Sequence, residues 1–120
     1  MNENKILVVA NHEKNLELLA GFLDKQGFGV KTASRITELD KVLSERSEID
    51  MALIDVSGFD HSIWDRCEKI RNEGLPFFII SPRKSKQAKE KSLSEGARDV
   101  LTKPLEKERL LKLVKVMLGE

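Results

Sequence analysis

The sequence predicts a doubly wound α/β domain, a parallel sheet covered by helices on both faces. Short continuous apolar runs alternate with longer stretches of helical spacing. Connections between them are only a few residues long, and glycines stand where the helical stretches end. Such alternation favours parallel strands joined by crossover helices.

The elements follow in order. Ile6, Leu7, Val8 and Val9 form a continuous apolar run, the pattern of a strand buried on both faces. Leu16, Leu19, Phe22 and Leu23 then share one helical face, and Gly27 follows as a left-handed cap. A weaker strand is expected near Gly29–Ala33, and Ile36, Leu39, Val42 and Leu43 make the next helical stripe. Met51–Ile54 is the third strand. The third helix opens near Trp64 and holds Cys67 as a small packing residue; Gly74 ends it. Pro76 opens the strand Phe77–Ile80, where a missing backbone donor matters least. The helix from Lys84 to Ser94 has the thinnest apolar stripe, mainly Ala88 and Leu93, and is expected to be the most loosely held. Gly96 closes it, a short strand is expected at Asp99–Thr102, and Leu110, Leu111, Val114, Met117 and Leu118 give the clearest stripe of all.

The chain's 120 residues suit one domain spanning 1–120. Hydrophobic residues at 40% and charged residues at 34% fit a folded soluble domain and argue against disorder. The 21 basic residues nearly balance 20 acidic ones, so nothing in the charge points to nucleic acid as an obligatory partner. Cys67 is the only cysteine, which excludes an internal disulfide and a cysteine-based metal cluster and fits a reducing cytoplasm. No apolar run is long enough for a signal peptide or a membrane span. A soluble cytoplasmic protein is expected.

In an open parallel sheet, ligands sit beyond the carboxyl ends of the strands. Ala10, Asn11, His12 and Glu13 follow the first run, Asp55 the third, Ser81 the fourth, and Lys103–Pro104 the fifth. A carboxylate, a hydroxyl and an ammonium therefore meet at one edge. A carboxylate can attack phosphorus, and a nearby cation and hydroxyl can stabilise the transferring group.

With KILVV, ALID, FFIIS and GARDVLTKP in these places, the chain resembles the receiver domain of two-component response regulators over essentially its whole length. The resemblance implies a five-stranded flavodoxin-like, CheY-like fold with strand order 2-1-3-4-5. It makes Asp55 the candidate phosphoacceptor for a histidine kinase, Ser81 the hydroxyl on the phosphoryl oxygen, and Lys103 its ammonium partner. It also implies a cis Lys103–Pro104 bond, a form uncommon in general. By the same resemblance the fourth helix, fifth strand and fifth helix form the contact face, with Lys84, Lys86, Lys89, Lys91, Val100 and Lys107 as interface candidates. That face would serve a sensor kinase, a downstream protein or a second copy.

The departures from the family pattern decide the functional expectation. Receivers usually carry an acidic pair after the first strand to hold Mg²⁺; here Ala10 and Asn11 stand there. Asn11 and Asp55 are what remains of a metal site, and Mg²⁺ demands oxygen ligands in near-octahedral array. Glu13 suits the dipole of the following helix better than a metal. Val100 replaces the usual switch aromatic or His, and Val is stiff at χ1. The expectation is an atypical receiver, or pseudo-receiver, that needs no cofactor, binds Mg²⁺ weakly at most, and signals by protein contact rather than as an enzyme. The alternative is a receiver phosphorylated on Asp55. A flavodoxin-like cofactor role lacks a glycine-bearing phosphate loop at Ala10–Lys14. No recognition-helix module follows the last helix for DNA binding by this domain alone. His12 and His61 read as surface residues, and the basic run around Lys84–Lys91 as a solvated helix face or a dock for an acidic partner.

Overall fold

The computed structural model of the chain describes residues 4–45, 48–82 and 86–119. Its elements are β1 (Lys5–Ala10), α1 (Glu13–Lys25), β2 (Gly29–Ala33), α2 (Ile36–Ser44), β3 (Met51–Asp55), α3 (Ser62–Asn72), β4 (Phe77–Ser81), α4 (Lys86–Ser94), β5 (Val100–Thr102) and α5 (Lys107–Met117). The strands form one parallel sheet in the order β2-β1-β3-β4-β5.

Side chains alternate across a strand, so each apolar run feeds two cores. Leu7, Val9, Ala52, Ile54, Phe77 and Ile79 face α2 and α3. Ile6, Val8, Met51, Leu53, Phe78 and Ile80 face α1 and α5. This is why the runs are continuous: neither face of β1, β3 or β4 meets water. Each fully buried Leu or Ile contributes about 1.5–3 kcal/mol. β2, at the sheet edge, buries only Ala33 outright, which explains its weaker apolar signature.

Strand ends shift by a residue from the expected positions; Asp99 lies outside β5, and Asp55 and Ser81 are the last residues of their strands. The stripe expected for α4 is corrected. Leu93 is exposed, and Ser92 is the residue fully buried. Ala88 and Ser92 lie four apart on one helical face, whereas Leu93 turns a further step outward. The buried hydroxyl is satisfied because Ser92 Oγ donates to the Ala88 carbonyl at 2.7 Å. Lys84, where that helix was expected to begin, lies outside the described residues. No described helix is long and apolar enough to cross a membrane.

The topology also places the site. β1 pairs with β2 on one side and β3 on the other, which puts the switch in connection direction between β1 and β3. At that crevice Ala10 stands opposite Asp55 in register.

Candidate functional site

Asp55 ends β3 with its side chain only 6% exposed, so its carboxylate needs partners close by. Lys103 follows β5, which is aligned by the Ser81–Thr102 register with β4. The Lys103 amide donates to the Ser81 carbonyl at 3.0 Å, and the Lys103–Pro104 peptide is cis. This placement brings Lys103 Nζ to 2.6 Å from Asp55 Oδ2. The other carboxylate oxygen, Oδ1, accepts the Ser57 backbone amide at 3.0 Å. Ser57 Oγ lies 3.4 Å from Lys103 Nζ and completes a closed triangle of contacts. Both oxygens of Asp55 are therefore engaged by the protein itself.

Ser81 is buried at the end of β4, on the same sheet edge. Asp55, Ser81 and Lys103 thus come together at the strand ends as the sequence reading expected. Ser57 was missed. Its signal was present as Asp-Val-Ser, the two-residue spacing at which an Asp side chain accepts a backbone amide.

Asn11 takes a different direction. Its Nδ2 donates to the Ser34 carbonyl at 3.3 Å, tying the β1–α1 turn to the β2–α2 turn. Ser34 in turn donates through both its amide (3.0 Å) and its hydroxyl (2.7 Å) to Glu38 Oε1, which holds that carboxyl below its ordinary value. Gly58, at φ +81°, packs so closely that a Cβ there would lie 2.8 Å from Asn11 Oδ1. Ala10 supplies no donor atom. Among the described residues, no group of three or more His, Cys, Asp or Glu side chains is gathered closely enough to hold a metal ion. His12 and His61 stand apart, at the N-caps of α1 and α3, and Glu13 opens α1 as an exposed residue.

The interface candidates divide. Lys86 and Lys89 are exposed on α4. Lys91 pairs with Glu95 at 2.9 Å and lies 5.8 Å from the Trp64 ring centre, a cation–π contact that fastens α4 to α3. Val100 is half-buried against the α2–α3 core. Lys107 opens α5 as an exposed residue, with its ammonium 5.7 Å from the ring centre of Phe22 on α1. Lys84 lies outside the described residues.

Two further features lie on the α2–α3 side. Arg66 makes a two-pronged bond to Asp40, Nε to Oδ1 at 3.0 Å and Nη2 to Oδ2 at 2.9 Å. That fork holds the Asp40 carboxyl below its usual value and raises the Arg66 guanidinium further. Cys67 is fully buried, and loss of water around its thiol, with Glu95 adding to the effect, pushes its pKa up to about 12.

Comparison with known proteins agrees with this geometry. The profile described as the response regulator receiver domain matches residues 6–115. The chain is 32% identical over 122 residues to the phosphate regulon transcriptional regulatory protein PhoB of Rhizobium meliloti, covering 95% of this chain and 52% of that protein. It is 30% identical over 117 residues to the uncharacterized transcriptional regulatory protein YvcP of Bacillus subtilis, covering 95% of this chain and 48% of that protein. The chain thus spans about half the length of the curated relatives it matches. Among solved structures, a two-component response regulator from Clostridium difficile superposes with a TM-score of 0.89 at 28% identity, covering 98% of both chains.

Proposed function

Because the chain belongs to the response regulator receiver domain family of two-component signalling, we propose that it is an atypical member that signals mainly through protein contacts. In this reading, Mg²⁺-dependent phosphorylation of Asp55 is weak or absent. One observation carries the reading: among the described residues Asp55 is the only carboxylate that closes a strand, and Lys103 and Ser57 already engage both its oxygens. Ala10 adds no ligand, and Asn11 is committed to Ser34. Such a donor set does not fit Mg²⁺, which gives up water reluctantly and prefers several anionic oxygens.

The protein works in the cytoplasm, on a sensor kinase or a downstream signalling protein. Its contact face is built from α4, β5 and α5, where Lys86 and Lys89 stand exposed; self-association through the same face is part of the proposal. The domain is no enzyme beyond whatever transfer Asp55 itself accepts. A second reading, a working phosphoacceptor, is favoured by the survival of Lys103 at 2.6 Å from Asp55 with Ser81 at the neighbouring strand end.

Incubation with Mg²⁺ and acetyl phosphate, followed by intact-mass measurement, separates the two. The expected result is an unmodified chain. Stoichiometric gain of one phosphoryl group, lost on Asp55→Asn, would establish the second reading. Beryllofluoride with Mg²⁺, followed by NMR shifts around Asp55, gives an independent check.

A further inference from the structure

We propose that the groove between α1 and the start of α5 binds a small amphiphilic acid, a compact apolar body carrying one carboxylate. The cavity there has a volume of about 310 Å³, at the lower end of the range for small-molecule sites. Its walls are Leu18, Leu19 and Phe22 from α1 and Pro104, Leu105 and Leu110 from the β5–α5 side. Its floor includes Ala10, Ile80 and the Asp55–Lys103 pair. A ring with a short chain is of a size to fill that space.

Two observations specify the occupant. Leu18 is 65% exposed although it borders this concave apolar surface, so an apolar ligand lying against it removes area from water. The charge at the rim is unbalanced. Of the lining charges, Lys103 is neutralised by Asp55 at 2.6 Å. Lys107 meets only the face of Phe22, at 5.7 Å, and no ion pair among the described residues engages it. A carboxylate at the open end would pair with that ammonium while the apolar body fills the space beside Phe22 and Leu105. Inorganic phosphate lacks the body, and a neutral apolar molecule lacks the partner for Lys107. Binding of this kind does not require Asp55 to accept a phosphoryl group, although the ligand would lie over the Asp55–Lys103 pair.

The test is a ¹H–¹⁵N NMR titration of the whole chain with phenylbutyrate and with its neutral counterpart phenylbutyramide. Saturable shifts should map to α1 and the β5–α5 turn, with the acid binding two- to five-fold more tightly than the amide, as expected of a partly exposed charge pair (roughly). Lys107→Met should bring the two ligands to equal affinity. Leu18→Asp, at an exposed position that leaves the core untouched, should weaken the acid roughly ten-fold. Absence of saturable shifts, shifts centred elsewhere, equal affinity for acid and amide in the unaltered chain, or indifference to Leu18→Asp would each overturn the proposal.

Discussion

Replacing Lys103 by Met should cost far more stability than replacing Asp55 by Asn. The Asp55 side chain is 6% exposed and that of Lys103 28%. Removing Lys103 takes the 2.6 Å partner from Oδ2 and leaves a buried carboxylate held only by the Ser57 amide at 3.0 Å. Breaking a fully buried ion pair in this way costs about 3–5 kcal/mol. Water can replace part of a lysine head that is more than a quarter exposed, which lowers the expectation to about 2–3 kcal/mol. Asp55→Asn removes the buried charge, keeps an acceptor for Ser57, and lets the Lys103 head turn to solvent, so it should cost under about 1 kcal/mol. The double variant should therefore be more stable than Lys103→Met alone, with a coupling of about 1.5–2 kcal/mol. Urea unfolding at neutral pH measures all four species, with an unchanged slope as the check that the compared states are alike. A loss below about 1 kcal/mol for Lys103→Met, or a coupling within about 0.3 kcal/mol of zero, would refute the assignment of this pair as a structural lock.

Other consequences follow from the same geometry. Gly58→Ala should destabilise by more than the ~1–2 kcal/mol of a left-handed alanine, because its Cβ also meets Asn11 Oδ1 at 2.8 Å. Gly74→Ala, at φ +77° with nothing within 4 Å, isolates the backbone component, and chemical denaturation of both gives the difference. Cys67, buried and with its pKa near 12, should resist a thiol-specific disulfide reagent at pH 8 in the folded chain and react fully once unfolded; rapid native labelling would contradict its placement. Asp40 has a folded pKa below its ordinary value, so its stabilisation is present above about 3.8 and is lost as pH falls through the lowered value. Asp40→Asn should then flatten the fall in stability in that acid range, by less than about 1 kcal/mol for a carboxylate 42% exposed. Thermal melts between pH 5 and 2 measure it.

The sheet was legible because β1, β3 and β4 are buried on both faces, and such strands write unbroken apolar runs. Strand ends then located Asp55, Ser81 and Lys103, since in a parallel sheet the residue after each run falls on one edge. What escaped the sequence depended on rotation and on distant packing. Leu93 was expected inward on hydrophobicity, but helical phase set by Ala88 buries Ser92, and a local hydroxyl–carbonyl bond makes that burial tolerable. Ser57 closes on Lys103 from 46 residues away, a contact that no local pattern encodes. The contact of the Lys107 ammonium with the Phe22 ring likewise joins α5 to α1 across a long stretch of sequence. The groove between α1 and α5 was invisible for a related reason: it arises from the spacing of two helices far apart in sequence, not from anything that follows a strand.

Calorimetric titration with Mg²⁺ bears most directly on the reading of this domain as an atypical receiver. With Asp55 the only strand-closing carboxylate among the described residues and both its oxygens engaged, no saturable binding should appear. Micromolar affinity that disappears in Asp55→Ala would contradict the account and restore an ordinary phosphorylation switch.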